Sequence, residues 1–398
     1  MYICVTAIKT TSLRNTHLMI TMKTLADALA EKNADAYVAY DSSANADMRY
    51  LAGFLASDPY IYLYPKNGNP TIIVSAMEEL RARKETSCNV ITRSAAGLPD
   101  LLKEHKDPER ATAHMIRNLT GAKLLVPASM QIGFAQTLME VADITVDRTT
   151  VATMRCVKTP EEIGHIRQVQ QHNEQATRAA VDLIRKSEID DNNGLIYEDE
   201  PVTSERIRDV IAAALRPHNC EDRDTIISCG PDTAMPHCLG TGQLLAHQPI
   251  VMDVFPQNLK TGYFADMTRT IAKGAPADEI IRMYKTVHDA KELAVNLLGP
   301  GITGAEVHNA VAAYFAEQGY ETAGSSGFIH SLGHGVGLEI HEGPSLSPSG
   351  GILEPGNVVT IEPGLYYPGI GGVRLEDMGV ITEDGFDRFT NFEEQLIV

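Results

Sequence analysis

Residues 250–270, IVMDVFPQNLKTGYFADMTRT, read as two β-rich arms around an Asn258-Leu259-Lys260-Thr261-Gly262 turn, the composition of a hairpin. Residues opposite one another across an antiparallel pair share a face of the sheet. With the turn centred between Leu259 and Lys260, Asp253 on the first arm faces Asp266 on the second. The spacing predicts two carboxylates side by side, their Cα atoms roughly 4.5 to 5.5 Å apart. A second hairpin repeats the arrangement. Residues 358–367, VVTIEPGLYY, run to Pro368-Gly369, and residues 371–381, GGVRLEDMGVI, return, bringing Glu362 near Glu376. Each hairpin offers a pair of acids.

Four carboxylates in one pocket repel, each close pair by about 4 kcal/mol at 4 Å and an effective dielectric of 20. Cations relieve that repulsion. Two divalent ions about 3.5 to 4 Å apart would neutralise the quartet and leave room for a bridging hydroxide. In a chain with 52 Asp and Glu among 398 residues, any one of these acids alone would be commonplace. The stretch His330-Ser331-Leu332-Gly333-His334-Gly335-Val336-Gly337-Leu338-Glu339-Ile340-His341-Glu342 changes the reading. Histidines interleaved with glycines, which let backbones approach closely, do not form a core-packing pattern. A nucleotide loop is excluded, because the glycines lack G-x-G-x-x-G spacing and no P-loop lysine follows. His334 becomes the one nitrogen ligand beside Asp253, Asp266, Glu362 and Glu376. Oxygen-rich ligation with one imidazole suits manganese, cobalt, iron or zinc over magnesium, without choosing among the four; manganese is the expected ion.

These residues resemble the pita-bread metallopeptidases, which include methionine aminopeptidase, aminopeptidase P and prolidase. The resemblance covers nearly the whole chain. It is carried by Pro236-His237, the Asp253 and Asp266 pair, Phe264-Ala265-Asp266-Met267-Thr268-Arg269-Thr270, the His334 to His341 block, Ile361-Glu362-Pro363-Gly364 and Arg374-Leu375-Glu376-Asp377. It implies that Asp253 binds one metal, that His334 and Glu362 bind the other, and that Asp266 and Glu376 bridge them. The His-Gly-x-Gly-x-x-x-His-Glu form and the long N-terminal region favour the Xaa-Pro-cleaving branch. By the same resemblance, His237 contacts the substrate near the scissile bond, His341 donates to the developing oxyanion, and Glu362 shuttles a proton to the leaving nitrogen. One departure stands out: the two Asp residues lie two positions further apart than in most of the family, with Val254-Phe255-Pro256 after the first. Two extra residues keep both on one face.

Arg374 lies two residues from Glu376 on the same strand and so shares its side. Its guanidinium either grips a substrate carboxylate or holds an acidic ligand in place. His330, four residues before His334, is either a proton relay or a buried structural group. His165, His172, His288 and His308 fall on helix-like stretches, where packed or solvated roles are expected. With no Trp in the chain, Tyr366, Tyr367 and Phe255 are the candidate walls of a proline pocket. Cys238, beside His237, is expected to be a packed free thiol. The alternatives to a peptidase are a same-fold enzyme acting on a small non-peptide substrate, creatinase-like or a metal-dependent lyase, and an inactive module that binds other proteins.

Organisation along the chain supports two domains. From Lys23 onward, helix-like and strand-like pieces alternate: TLADALAEKN, DAYVAYD, the hairpin YIYLYPKNGNPTIIVS turning at Asn67-Gly68, MEELRARKE, AKLLVPAS, MQIGFAQTLMEVAD and ITVDRTT. That is an α/β domain, assigned to residues 1–150, its first 20 or so a candidate extension. At Lys158-Thr159-Pro160-Glu161-Glu162, a capping box with proline in the first turn opens a long helix. Residues 151–398 are read as an α+β pita-bread catalytic domain, two duplicated halves on a curved antiparallel sheet. The N-terminal domain carries none of the five ligands; by resemblance it shapes the entrance for short peptides and a homodimer contact.

The formal net charge of −18 argues against nucleic acid or an anionic membrane as partner. The six cysteines have no C-x-x-C spacing and suit reduced thiols in a cytoplasm. No run reaches transmembrane length, and the first residues lack a signal-peptide pattern.

Overall fold

The computed structural model describes residues 24–398; the candidate extension over the first 20 or so residues lies outside the described part. Period-two alternation organises the N-terminal sheet. Tyr37 and Ala39 enter one core with Leu29, Met48 and Phe54, while Ala36 and Val38 enter another with Met115 and Phe134. A strand buried on both faces in this way belongs at the centre of a layered α/β unit. The sheet has six strands, ordered Asn89–Thr92, Thr71–Val74, Tyr60–Pro65, Ala36–Asp41, Lys123–Pro127 and Asp143–Asp147. The pairings are antiparallel about Tyr60–Pro65 and parallel elsewhere. Leu63 pairs with Thr71, which centres the hairpin on Asn67.

The second part opens on the helix Pro160–Lys186. Thr159 accepts from the Glu162 amide and the Glu162 carboxylate accepts from the Thr159 amide, so two orphan donors of the first turn are satisfied. Ile166, Val169, Ala176, Ala180 and Ile184 form its buried stripe, each large aliphatic contributing about 1.5 to 3 kcal/mol by leaving water. That stripe shares a core with Ile207 and Ile211 of the helix Ser204–Leu215 and with the sheet Ile226–Cys229, Ile250–Val254 and Met267–Ile271. The helices Asp278–Leu297 and Gly304–Glu317 build a separate core on the strands that carry Val359, Ile361 and Val373. Those strands belong to the second carboxylate hairpin and a five-stranded sheet ordered Glu342–Leu346, Gly333–Gly335, Val358–Ile361, Asp377–Ile381 and Phe386–Arg388. Each half thus joins a helix pair to one carboxylate hairpin.

The two hairpins meet edge to edge. The Glu376 amide donates to the Thr268 carbonyl at 3.0 Å, and the Arg374 amide donates to Thr270 Oγ1 at 3.0 Å. Among the described residues no helix is long and apolar enough to cross a membrane.

Candidate metal centre

Register decides which acids meet. In the second hairpin Ile361 pairs with Asp377 and, past a gap in the ladder, Gly364 pairs with Arg374. Continuing either register sets Glu362 opposite Glu376, as the spacing predicts. In the first hairpin Asp253 pairs with Thr268 instead of Asp266. The cause is the turn: Asn258 accepts from the Gly262 amide at 2.7 Å and Asn258 pairs with Tyr263, so the centre lies one residue later than the symmetric reading put it. A one-residue shift of the centre moves the pairing by two and preserves the face. Asp266 therefore stays on the side of Asp253, diagonal to it, immediately before Met267–Ile271.

All five predicted ligand residues line one cavity of about 750 Å³. Asp266 and Glu376 are buried, and Asp253, His334 and Glu362 are half-buried. His334 Nε2 lies 3.6 Å from Asp266 Oδ2 and 3.3 Å from Glu362 Oε1; donor atoms of Asp266, His334 and Glu376 all fall within 4.8 Å of one another. His334 Nδ1 donates to the Gly335 carbonyl at 3.1 Å, which turns Nε2 toward the acids. Flanking glycines make room for this strand: a Cβ on Gly333 would stand 2.1 Å from the Thr360 carbonyl oxygen, and one on Gly335 would stand 2.2 Å from that of Gly343.

The electrostatics are those of a crowded quartet. Burial first, then the neighbouring carboxylates, push Asp266 and Glu376 well above the usual carboxylate range. Glu362 goes the other way, because His334 overcomes the effect of burial and holds it low. Asp253 Oδ1 and Asp266 Oδ1 are buried with no hydrogen-bond partner among the described residues. Buried acceptors are rarely left so, and acid oxygens aimed at a shared space fit divalent cations.

His237 and His341 line the cavity from exposed positions at its mouth, the His341 ring standing edge-on to His334 at 4.3 Å. His330 also lines the cavity, but both its nitrogens are engaged: Nδ1 donates to the Ser331 carbonyl at 2.7 Å, and Nε2 accepts from the Tyr366 hydroxyl at 2.9 Å. Of the two readings of Arg374, the structure displays contacts with an acidic ligand. Its Nη2 donates to Asp253 Oδ2 at 2.7 Å, Nη1 to the Tyr366 hydroxyl at 2.8 Å, and Nε to Thr268 Oγ1 at 3.1 Å. Phe255 is on the cavity wall, whereas Tyr366 is fully buried behind it and the Tyr367 hydroxyl turns away to the Glu321 carbonyl. The aromatic wall expected of three residues reduces to one.

Two roles are not assigned by the sequence. Thr268 donates to Glu376 Oε2 at 2.8 Å and accepts from Arg374, and Tyr366 links Arg374 to His330. The signal for Thr268 was present in Asp266-Met267-Thr268, where alternation puts Asp266 and Thr268 on one side. Outside the cavity, His172 stacks on His218 and His308 accepts from the Leu332 amide. His288, Glu292 and Glu394 also converge, but Lys291 and Arg388 already pair with those acids. Cys238 is a half-buried free thiol.

Comparisons with known proteins give the family. Residues 22–158 match the creatinase/prolidase N-terminal domain and residues 164–383 match metallopeptidase family M24. A peptidase of Bacillus subtilis, YqhT, is 42% identical over 44% of this chain, and the match spans about half of that relative, 48%. The Xaa-Pro dipeptidase of Pyrococcus horikoshii is 34% identical over 70% of this chain and 76% of its own length. The crystal structure of the prolidase from Pyrococcus horikoshii superposes with a TM-score of 0.78 at 28% identity, covering 94% of this chain and 98% of that one. With a two-domain pita-bread architecture and a family match over more than half its length, the chain belongs to metallopeptidase family M24.

Proposed function

We propose that this protein is a two-metal-ion peptidase that cleaves the peptide bond before proline, next to the N-terminal residue of short peptides. The carrying observation is the convergence of four acids and one imidazole on a single cavity, with two buried carboxylate oxygens unpartnered among the described residues. Asp253 would hold one ion, His334 and Glu362 the other, and Asp266 and Glu376 both; we expect manganese, with cobalt, zinc or iron as alternatives. Bound there, divalent ions polarise a carbonyl and lower the pKa of water to near neutrality. The protein's own groups do the rest. His341 at the mouth donates to the oxygen on which charge develops, and His237 contacts the substrate beside the scissile bond. Glu362 carries a proton to the leaving nitrogen. A prolyl amide nitrogen has no hydrogen to offer, so selection rests on shape, with Phe255 as the aromatic wall. The relatives named as Xaa-Pro dipeptidases support this branch.

Arg374 bears on substrate length. It is the only Arg or Lys among the described residues lining the cavity, and its guanidinium is engaged with Asp253, Tyr366 and Thr268. A free carboxylate on the prolyl residue would find no unengaged guanidinium or ammonium there. Peptides that continue past proline therefore suit the cavity better than free dipeptides. Hydrolysis of alanyl-proline and alanyl-prolyl-alanine, with manganese and after chelation, tests both statements. No cleavage of either with any of the four metals removes the peptidase reading; cleavage of the dipeptide alone removes the preference for length.

We place the domain division near residue 150, where the strand Asp143–Asp147 gives way to the helix Thr150–Cys156. A cytoplasmic homodimer completes the proposal, and sedimentation of the purified protein checks its size.

A further inference from the structure

We propose that the helix Ala46–Ala52 of the N-terminal domain is a positioning element of the catalytic site, acting through Asp47 on the loop that carries His341 and through Arg49 on the turn that joins Asp253 to Asp266. The proposal rests on the reading above only for its kinetic consequence.

The loop after His334 needs holding from outside. Residues 336–341 lie between the strands Gly333–Gly335 and Glu342–Leu346; the Val336 amide still donates to the Val358 carbonyl at 3.1 Å and the Gly337 amide to that of Glu339 at 3.1 Å, but the path from Leu338 to His341 runs outside the ladder. Side chains hold that path. Glu342 Oε2 accepts from the Glu339 amide at 3.3 Å, and a Cβ on Gly337 would stand 2.2 Å from Glu342 Oε1, so the carboxylate is folded back against its own loop. Arg155, 6% exposed, donates through Nη2 to Glu339 Oε2 at 2.6 Å and to Glu342 Oε2 at 2.5 Å. Its Nη1 donates to Asp47 Oδ1 at 2.8 Å. Lys158 Nζ is 2.7 Å from Glu342 Oε1. The planar fork of a guanidinium fixes direction as well as charge, and here one end of the fork is set by the N-terminal domain and the other by the two acids that bracket Ile340 and His341.

The second contact comes from the same helix, two residues on. Arg49 Nη2 donates to the carbonyls of Leu259 and Lys260, each at 3.0 Å. Gly262 makes this possible: its φ is +86°, and a Cβ there would stand 2.3 Å from Arg49 Cζ. The two held segments also touch each other, the Phe264 amide donating to the Gly337 carbonyl at 2.9 Å. One short helix therefore sets the turn of the first carboxylate hairpin and the approach to His341. Asp47 and Arg49 reach neither cavity nor substrate, so each is a positioning residue.

The test uses the full-length, manganese-loaded protein and the variants Asp47→Asn, Arg49→Met and Asp47→Glu. Displacing a catalytic group by about 1 Å can cost up to about a hundredfold in rate, so for Asp47→Asn kcat on alanyl-prolyl-alanine is expected to fall about tenfold or more while KM and bound manganese stay within about twofold. Amide hydrogen exchange gives the readout independent of activity. It is expected to quicken over residues 335–344 in Asp47→Asn and over residues 255–264 in Arg49→Met, with the rest of the chain unchanged and Asp47→Glu restoring the wild-type pattern. Exchange unchanged in both segments, or quickened uniformly along the chain, overturns the proposal. Should the wild-type protein cleave no Xaa-Pro peptide, the functional reading fails while the exchange data still decide the positioning claim.

Discussion

Glu376 and Asp377 are neighbours in sequence, both almost completely buried, and they live in opposite electrostatic worlds. Alternation sends their side chains to opposite faces. Asp377 meets cations: Arg269 donates to its Oδ1 at 2.8 Å, Lys291 pairs with its Oδ2, and Arg388 Nη1 lies 3.3 Å away. Against the effect of burial, Arg269 and Lys291 hold its carboxyl below the usual range. Glu376 meets acids, with a single hydroxyl from Thr268 as donor, and burial with Glu362 and Asp253 drives it far above that range. Where the chain supplies its own counter-charges, an acid is structural. Where it gathers acids beyond the one engaged guanidinium of Arg374, it leaves the balance to ions from outside.

The largest expected effect separates the two faces by activity. Asp266→Asn and Glu376→Gln should each cut kcat by at least about a hundredfold, the scale of losing several kcal/mol of charge stabilisation, and weaken manganese binding while the far-ultraviolet circular dichroism stays that of the wild type. Manganese bound as tightly as before would break the contrast. On the other face, Asp377→Asn removes the fully buried acid between Arg269 and Lys291 and leaves the partly exposed Glu394 as the acid they share. Urea titration should show a loss of about 3 to 5 kcal/mol, with manganese affinity little changed in the folded protein.

A pH experiment sharpens the contrast further. In the chelated protein Asp266 and Glu376 hold protons that the unfolded chain has already lost, because their folded pKa values are raised. Stability rises with pH only where the unfolded state binds more protons, so here the sign is reversed. The stability from these two acids is full below the ordinary carboxylate range and disappears as pH climbs through their raised values. Chelated protein should thus resist urea better near pH 5 than near pH 8, whereas manganese should invert the trend by displacing those protons. Parallel curves with and without metal would contradict it. The smallest effect belongs to the periphery of the Asp377 cluster. Arg388, which is half-exposed and pairs with Glu292, should cost no more than about 1 kcal/mol on conversion to Met in the same titration.

Much of the site was legible before any fold was known. Glu362 and Glu376 meet because a turn at Pro368-Gly369 leaves no choice of centre, and the observed pairings on either side continue into theirs. In the first hairpin the symmetric spacing sets the centre one residue early, since only the hydrogen bond from the Gly262 amide to Asn258 fixes where a five-residue turn folds. Asp266 kept its face because a displacement of two preserves parity. The aromatic wall differs from expectation for another reason: Tyr366 and Tyr367 alternate on a strand, and nothing local says which side is cavity and which is core.

The sequence by itself determined the residue types, the two hairpins, the parity that aims four acids to one side, the glycines that admit His334 between neighbouring backbones, and the capping box that starts the long helix. All of these follow from periodicities of two and 3.6 and from local hydrogen bonding. Only the tertiary structure decided that Arg374 serves Asp253, that Thr268 and Tyr366 complete that network, and that Asp47 and Arg49 reach across to the catalytic loops. Those contacts join segments as much as 211 residues apart, and the direction of a guanidinium depends on which partners folding has brought within its reach.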